Sequence, residues 1–341
     1  MYMIFKDITE TNFNGIDISS HFEFDHEKVF YFEDSKSGLK SLIAIHDSIN
    51  GPAIGGCRFK DYESFDEGLT DVLRLSRGMT EKNNTAQIPF GGGKAVIFKQ
   101  GNKSKTMLKS FATFLNHLNG SYISAEDIGI TLEDILFIKQ HSDHVLDNVD
   151  PGPYTAKGLF YAIEAAIKIK FSDNLNGKNI SIQGAGSVGM KLAEHLSNSG
   201  AHVFISDTDQ SKLINIQNPN ITPVADAFST PCDLFAPCAV GAIFTESSIK
   251  NLNCKIIAGG ANNQLLDPSI AQKLHQKGII FIPDILINSG GVIGLTKDLL
   301  GRDDIETEQA LKDIASRVID LMKYSEEKSI PILEAMSKFQ L

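Results

Sequence analysis

Two lysines beside glycines are the residues of this chain best suited to chemistry. In the segment 78–98, Lys82 follows a helical stretch and Lys94 follows three successive glycines. Successive glycines cost conformational entropy, so they indicate backbone that passes close to a ligand or takes a positive φ. In one cleft, a protonated lysine can hold a substrate carboxylate, while a partly desolvated second lysine becomes usable as an acid–base group. Composition alone favours the alternative that both are ordinary surface lysines.

A glycine pattern typical of dinucleotide binding lies in the second half of the chain. It follows the apolar run 179–183 directly and opens a helical stretch. The first glycine makes a tight turn, the second lets the backbone approach a pyrophosphate, and the third lets the helix pack on the strand. The helix N-terminus adds N–H groups and partial positive charge. The alternative is a strand–turn–helix without a ligand. The predicted cofactor-binding residues are Gly184, Ala185, Gly186, Ser187, Val188 and Gly189.

An aspartate eighteen residues beyond Gly189 bears on the choice of dinucleotide. Asp207 ends the second apolar strand, about where an acidic side chain accepts hydrogen bonds from a ribose 2′-hydroxyl. A carboxylate there would repel a 2′-phosphate, so the sequence favours NAD over NADP. The alternative is that Asp207 only caps the turn after its strand.

The elements that must position these residues form two α/β halves. In the second half, apolar runs recur every ~20–25 residues with helical patterns between some of them, which predicts a mainly parallel, doubly wound sheet of the Rossmann type. These runs are 179–183, 202–206, 233–237, 255–259 and 279–283. In the first half, strand-like and helical patterns predict a separate α/β layer structure. The strand-like runs are 39–48 and 94–99, and the amphipathic helices are 66–79 and 106–118.

A loop-like cluster at residues 147–153 predicts the domain boundary. It contains two prolines and a glycine, which suit neither helix nor strand interiors. The spacing of apolar residues predicts a linking helix from Thr155 to Lys170 and a long amphipathic helix over 304–328. We therefore predict a first domain over 1–150, a dinucleotide-binding domain over 151–303, and C-terminal helices over 304–341 that return to the first domain.

Composition excludes several classes of function. The 341 residues suggest two domains, and the formal net charge of −10 argues against a nucleic-acid partner. No stretch approaches the ~18 consecutive apolar residues of a membrane span, and the N-terminus lacks a basic start followed by an apolar stretch. We therefore expect a cytoplasmic protein with no membrane partner. The four cysteines form no CxxC pair, so we expect reduced thiols and no metal.

Eight short segments, spread over most of the chain, carry a resemblance to a known enzyme family. They are residues 51–59, 73–83, 89–97, 124–131, 184–189, 233–243, 256–265 and 283–293. In this order they resemble the family of glutamate, leucine, phenylalanine and valine dehydrogenases, and are most similar to its leucine and phenylalanine branch. The resemblance is far more specific than any single motif, and it favours functional lysines over surface lysines.

The resemblance implies roles for individual residues. Lys82 matches the lysine that binds the substrate α-carboxylate, and Lys94 matches the catalytic lysine that polarises the substrate and activates water. Asp127 matches the carboxylate that moves protons to and from the nitrogen, although it could otherwise cap a helix. The implied substrate-pocket residues are Ile54, Gly55, Gly56, Ala125, Asn262, Asn288, Val292 and Leu295. The implied neighbours of the nicotinamide are Asn262, Asn288 and Thr155, the last after a loop shorter than the family's.

These roles imply a reversible oxidative deamination. An L-amino acid, NAD and water would give a 2-oxo acid, ammonium and NADH, without a metal. Hydride leaves Cα for the nicotinamide, so the site is expected in a cleft between the substrate and cofactor domains. Water then adds to the iminium, which requires an acid–base lysine and an aspartate partner. The resemblance also implies a homo-oligomer, a dimer or an octamer, built through the N-terminal domain.

Ile54 bears on which amino acid is accepted. Glutamate-specific relatives have a lysine at this position, and a distal carboxylate against isoleucine would lack a partner. We therefore expect an apolar substrate, with branched-chain aliphatic side chains first. A phenylalanine- or tryptophan-preferring enzyme is the alternative, because such choices turn on ~1–3 kcal/mol. A catalytically silent NAD-binding regulator is a further alternative, which the presence of Lys82, Lys94 and Asp127 disfavours.

Overall fold

A computed structural model describes residues 3–147 and 150–338 of the chain. These residues form two compact units, one before residue 150 and one from Asp150 onward. Residues 148 and 149 of the predicted boundary loop lie outside the described ranges. Of the helices in those ranges, none combines the length and the apolar character needed to cross a membrane.

The first unit is built on a mixed sheet whose pairing order is β1-β4-β5-β7-β6-β8. Its strands are β1 (Met3–Asp7), β2 (Asn12–Phe13), β3 (Ile16–Asp17), β4 (Lys28–Asp34), β5 (Leu39–Asp47), β6 (Ala53–Lys60), β7 (Gly91–Phe98) and β8 (Tyr122–Ala125). Strands β2 and β3 form a separate antiparallel hairpin. Strand β6 runs parallel to its neighbours β7 and β8, whereas β5 is antiparallel to β7. The predicted α/β layer structure of this half is confirmed.

Three helices of the first unit begin at residues that cap them. They are α1 (Phe65–Thr85), α2 (Lys105–His117) and α3 (Leu132–Lys139). The side chains of Ser64, Ser104 and Thr131 accept hydrogen bonds from backbone N–H groups of the first turns. Helix α1 runs beyond the predicted end at residue 79 because its later residues Thr80 and Asn83 are buried. Lys82 therefore lies within this helix, not after it.

The central strands of the first unit are buried on both faces. Ile43 and Ala95 belong to an apolar cluster with α2 and α3, whereas Leu42 and Val96 belong to a second cluster with α1. Successive side chains of a strand point to opposite faces, so β5 and β7 supply both clusters. This double burial makes β7, which carries Lys94, a rigid support.

The second unit is built on a parallel sheet with the order β11-β10-β9-β12-β13-β14. Its strands are β9 (Asn179–Gln183), β10 (His202–Ser206), β11 (Ile221–Pro223), β12 (Leu234–Pro237), β13 (Ile256–Ile257) and β14 (Ile280–Phe281). All its pairs are parallel. In chain order this is the 3-2-1-4-5-6 arrangement of dinucleotide-binding domains, whose ligand crevice lies where the order reverses, here between β9 and β12. The predicted Rossmann-type sheet is confirmed.

One helix of the second unit begins earlier than the sequence predicts, and another has the predicted bounds. The helices of this unit are α4 (Pro151–Phe171), α5 (Ser187–Asn198), α6 (Ser269–Gln276), α7 (Asp284–Ile287), α8 (Gly290–Thr296), α9 (Asp304–Lys328) and α10 (Ile332–Lys338). Helix α4 includes residues 151–153, predicted as loop, because Asp150 caps the N–H of Gly152 and proline suits a first helical position. The long helix over 304–328 is confirmed. It packs against α4 within this unit, and its return to the first domain stays a prediction.

Candidate active site

Lys94 and Asp127 come together in the first unit as an ion pair. Lys94 is a buried residue of β7, and Asp127 follows the end of β8. The distance between Lys94 Nζ and Asp127 Oδ2 is 2.8 Å. Strand β6 lies between β7 and β8 in the sheet, so the chain after β8 must cross β6 for this contact to form.

Gly56 on β6 gives the Asp127 loop the room to cross. A Cβ added to Gly56 would lie 2.5 Å from the Glu126 carbonyl oxygen and 2.9 Å from Asp127 Cβ. Both distances are shorter than real Cβ contacts, so a side chain here would push the loop away. The glycine pair predicted to line the substrate pocket therefore has a structural reason as well, because a Cβ on Gly55 would lie 1.7 Å from the Gly93 carbonyl oxygen of β7.

Two cations keep Asp127 ionised. Besides Lys94, Arg58 Nε donates a hydrogen bond of 2.8 Å to Asp127 Oδ2. Burial alone would raise the pKa of Asp127, but the cations of Lys94 and Arg58 outweigh burial and hold the pKa below its usual range. Asp127 does not cap a helix, since Thr131 caps α3 with Asp134 in a capping box. The acid–base interpretation of Asp127 is the one that its contacts favour.

The three glycines before Lys94 serve protein packing, which corrects the sequence interpretation. Gly91, Gly92 and Gly93 lie inside β7, and none of them has a positive φ. Added Cβ atoms would collide with the Asp47 carbonyl oxygen at 1.8 Å, with Thr80 N at 2.1 Å and with the Tyr122 ring at 2.7 Å, respectively. The glycines let β5, α1 and β8 approach the strand, so neither a ligand nor unusual dihedral angles are needed to explain them.

The remaining predicted residues of the first unit lie on the same elements. Lys82 is half-buried near the end of α1, a helix that packs on β7. Ile54 precedes the glycine pair on β6 and is 1% exposed, and Ala125 ends β8 and is buried. Lys82, Ile54 and Ala125 are thus carried by elements that neighbour Lys94 or Asp127.

The turn between β9 and α5 has the geometry that the glycine pattern predicts. Gly184 takes a φ of +104°, which a side chain would strain. A Cβ on Gly189 would lie 1.9 Å from the Gly184 carbonyl oxygen, so only glycine lets α5 pack this closely. At Gly186, by contrast, an added Cβ would meet no described atom within 4 Å. Gly186 has no side chain to cap α5, so the first N–H groups of the helix, from Ser187 onward, remain available to a phosphate.

Asp207 lies beside this turn and also holds its own loop. Its Oδ2 accepts a hydrogen bond of 2.8 Å from the N–H of Ala185, and its Oδ1 accepts one of 2.8 Å from the N–H of Asp209. These backbone hydrogen bonds lower the pKa of Asp207. Lys212 Nζ is 3.3 Å away. The carboxylate is therefore placed next to the glycine turn, and the turn-capping interpretation also holds.

The residues expected near the nicotinamide gather in the second unit. Asn288 Nδ2 donates to Asn262 Oδ1 over 2.8 Å. Thr155 donates its hydroxyl to the Pro151 carbonyl oxygen within α4, and a Cβ on Gly291 would lie 2.7 Å from that hydroxyl oxygen. Helix α8, which begins beside Asn288, also carries Val292 and Leu295. The structure thus brings together the predicted residues from three separate segments of this unit.

Sequence reasoning missed two residues that support these groups. Arg58, which binds Asp127, carries the signal of a charged side chain directly after the glycine-rich and apolar run 53–57 of β6. Gln264 is 0% exposed and donates from Nε2 to the carbonyl oxygens of Gly259 and Ala261, at 2.8 and 3.0 Å. These bonds shape the loop that carries Asn262. In the sequence, the Gln264 amide directly follows the amides of Asn262 and Asn263, so it carries no signal of its own.

The fold and these side chains define an α/β dehydrogenase of the nicotinamide-dependent class. The glycine turn has dinucleotide-type geometry, and Lys94 and Asp127 form a largely buried ion pair. The chain belongs to the Glu/Leu/Phe/Val dehydrogenase family. The family model of its dimerisation domain matches residues 26–144, and the model of Glutamate/Leucine/Phenylalanine/Valine dehydrogenase matches residues 152–215 and 204–335. The resemblance inferred from the eight segments is confirmed.

Relatives named for different amino acids are about equally similar to this chain. Leucine dehydrogenase of Bacillus subtilis (strain 168) is 37% identical over 322 residues, which cover 91% of this chain and 88% of that enzyme. Phenylalanine dehydrogenase of Lysinibacillus sphaericus is 36% identical over 333 residues, which cover 92% of this chain and 87% of that enzyme. The crystal structure of L-tryptophan dehydrogenase from Nostoc punctiforme matches with a TM-score of 0.83 and 35% identity. The match covers 92% of this chain and 94% of that chain.

Proposed function

We propose that this protein catalyses the reversible, NAD-dependent oxidative deamination of an apolar L-amino acid, with branched-chain aliphatic substrates preferred. The products are the 2-oxo acid, ammonium and NADH. The Lys94–Asp127 ion pair, with its 2.8 Å contact, is the observation that carries the proposal. A catalytically silent NAD-binding regulator would have no use for this buried pair.

The side chains of the first unit have complementary roles in the proposed reaction. Lys82 holds the substrate carboxylate by its positive charge. Asp127, which is ionised, takes a proton from the substrate ammonium so that the nitrogen lone pair can assist loss of hydride from Cα. Lys94, once it has released its own proton to solvent, accepts a proton from the water that adds to the resulting iminium. Asp127 returns its proton to the nitrogen, ammonia leaves as the carbonyl forms, and Asp127 passes the proton of the hydroxyl group to the ammonia, which gives ammonium.

The second unit holds the dinucleotide in this proposal. The turn from Gly184 to Gly189 and the N-terminus of α5 bind the pyrophosphate, and Asp207 accepts hydrogen bonds from the ribose. Asn262, Asn288 and Thr155 orient the nicotinamide ring. When bound, the nicotinamide supplies the hydride acceptor. NAD is favoured over NADP because the carboxylate of Asp207 would repel a 2′-phosphate.

Apolar residues define the proposed side-chain preference. Ile54, Ala125, Val292 and Leu295 offer no charge to a distal carboxylate, so glutamate and aspartate would be bound with an unpaired charge. A phenylalanine- or tryptophan-preferring enzyme is the second candidate, supported by relatives of nearly equal identity named for those amino acids. We also propose a homo-oligomer, a dimer or an octamer, built through the first unit, where the family's dimerisation domain matches.

A panel of initial rates tests the proposal. NADH formation is measured by absorbance with each of twenty L-amino acids, and with NAD and NADP in parallel. We expect the highest kcat/KM with leucine, isoleucine or valine, negligible rates with glutamate and aspartate, and a clear preference for NAD. Higher kcat/KM with phenylalanine or tryptophan would select the second candidate. No amino-acid-dependent reduction of either dinucleotide would overturn the proposed function, and faster reduction of NADP would overturn the role given to Asp207.

A further inference from the structure

Arg58 links Asp127 to a second carboxylate that the proposed reaction does not use. Arg58 Nε donates to Asp127 Oδ2 over 2.8 Å, and its Nη1 contacts both carboxylate oxygens of Asp71, at 2.9 and 3.2 Å. Tyr62 donates its hydroxyl to the same Asp71 over 2.7 Å. The charged groups therefore alternate in sign along the row Lys94, Asp127, Arg58, Asp71.

The two cations of this row contact one and the same oxygen of Asp127. The closest contacts of Lys94 Nζ and Arg58 Nε are both with Oδ2, each at 2.8 Å. Two such contacts on one oxygen fix the orientation of the carboxylate. Oδ1 is the oxygen that these two contacts do not use.

We propose that Arg58 is a positioning residue for Asp127, which it holds through Oδ2 so that Oδ1 exchanges protons with the substrate amine. This inference rests on the proposed function. Arg58 also keeps Asp127 paired at the moment when Lys94 is neutral, because a guanidinium does not lose its proton in proteins. Asp71 in turn keeps Arg58 paired when Asp127 carries the proton. Each transfer therefore avoids leaving an unpaired charge in a largely buried site.

The other titratable groups around Asp127 do not compete for its proton. Burial raises the pKa of the Cys57 thiol on β6 and of the Tyr122 hydroxyl on β8, so both stay neutral. Burial and Asp71 likewise raise the pKa of Tyr62. Burial lowers the pKa of Arg58, but Asp127 and Asp71 outweigh burial and raise it overall. The charges that lower the pKa of Asp127 are those of Lys94 and Arg58, and Asp71 of α1 contacts Arg58 on its other side, with Lys103 and Asp134 in the same part of the unit.

Three variants of this row test the proposal through the pH dependence of kcat. Arg58→Gln removes the cation, so we expect kcat to fall at least about tenfold and the acid limb to move up by about one pH unit or more, with a smaller change in KM. Arg58→Lys restores the positive charge but lacks the planar guanidinium, whose Nε and Nη1 contact Asp127 and Asp71. The acid limb should therefore return towards that of the wild type while kcat stays reduced. Asp71→Asn removes a negative charge, so its acid limb should lie at or below that of the wild type.

Two outcomes would overturn the role of Arg58. One is an Arg58→Gln enzyme with an unchanged acid limb, and the other is an upward shift of the same size in Arg58→Gln and Asp71→Asn, as a merely structural role predicts. Thermal denaturation shows whether each variant folds. If Arg58→Gln does not fold, Arg58→Lys provides the test. Wild-type kcat and pH dependence in Arg58→Lys would show that the guanidinium group is not needed, which would contradict the proposal.

A measurement that needs no turnover separates this inference from the proposed function. The ionisation of the Asp127 carboxylate is followed by infrared difference spectroscopy, with Asp127→Asn as the reference. If Asp127 is protonated at a higher pH in Arg58→Gln than in the wild type, this supports the contact of Arg58 with Asp127 as the cause, even if no amino acid is oxidised. Equal titration curves of Asp127 in Arg58→Gln and in the wild type would overturn the role of Arg58, even if the enzyme is active.

Discussion

At the scale of single residues, the strongest inference concerns a lysine whose ammonium group has a fixed partner. Most lysines of a protein are solvated, whereas Lys94 is 6% exposed and contacts Asp127. A buried lysine held by a carboxylate is placed for proton transfer, which contributes 10²–10⁴-fold when the group is part of the reaction.

Replacing Lys94 separates catalysis from cofactor binding. We expect Lys94→Ala to lower NADH formation by at least about a hundredfold, with NAD affinity nearly unchanged, because the glycine turn belongs to the other unit. Steady-state rates and calorimetric titration with NAD measure the two effects. The matched control is Lys99→Ala, an exposed lysine just beyond β7, which should keep wild-type rates. Full turnover in Lys94→Ala would contradict the proposed mechanism.

The sequence predicts Lys94 and Asp127 but not their surroundings. Each lies in a short segment that resembles a known family, so the type of residue and the order of segments are enough. Arg58 also lies in such a segment, 51–59, but its contact with Asp127 cannot be found there, because Asp127 is 69 positions away and only the pairing of β6 with β8 joins them. The packing role of the glycines before Lys94 cannot be predicted from the sequence for the same reason, since the atoms that exclude a side chain there come from three other elements.

At the scale of elements, sequence patterns predict the apolar strands of the second unit better than those of the first, where β4 and β6 are missed. Strands β9 and β10 occupy the residues predicted for them, whereas β11 is missed. It has three residues, lies at the edge of its sheet and ends in Pro223. A short edge strand buries little apolar surface, so it leaves no periodic pattern. The start of α4 is missed because proline and glycine indicate a loop until the capping by Asp150 is known.

The crossing of β6 by the Asp127 loop gives a prediction at this scale. Gly56→Ala would bring a Cβ within 2.9 Å of Asp127 Cβ, so the loop must shift away from Lys94. We expect kcat to fall by more than about tenfold and stability to drop by about 1–3 kcal/mol, typical of overpacking. Urea denaturation and steady-state rates measure these effects.

Gly78→Ala is the matched control for stability. Gly78 lies within α1, and a Cβ there would meet no described atom within 4 Å. Alanine in a helix interior is favoured over glycine by roughly 0.5–1 kcal/mol, so this variant should gain stability. If Gly56→Ala were as stable and active as the wild type, the close crossing described here would be wrong.

At the scale of the whole molecule, a buried histidine of the first unit, His26, links the stability of the fold to pH. His26 ring nitrogen Nε2 lies 3.0 Å from the Leu73 carbonyl oxygen and 2.8 Å from Ser76 Oγ. His46, Asp25 and Arg77 surround it. Burial first, and then the neighbouring His46, lowers the pKa of His26 to about 4.

This shift makes the stability of the fold depend on pH in a definite direction. In the unfolded chain, histidine titrates near 6.5. Between pH 6.5 and about 4, His26 is therefore protonated in the unfolded state but neutral in the folded state. The contribution of His26 is therefore fully present above pH ~6.5 and is lost as the pH falls towards 4. A shift of this size corresponds to about 3 kcal/mol in the free energy of unfolding.

Replacing His26 by a residue that does not titrate should flatten the acid side of the stability curve. His26→Gln keeps an amide donor for the Leu73 carbonyl oxygen, so part of the packing is retained while the proton linkage is removed. We expect the urea midpoint of His26→Gln to be lower than that of the wild type at pH 7. Between pH 7 and pH 4.5, this midpoint should fall less than that of the wild type. His117→Gln, at an exposed position of α2, should follow the wild-type slope. If His26→Gln and the wild type lost stability in parallel, other groups, the carboxylates of this acidic chain foremost, would control its acid denaturation.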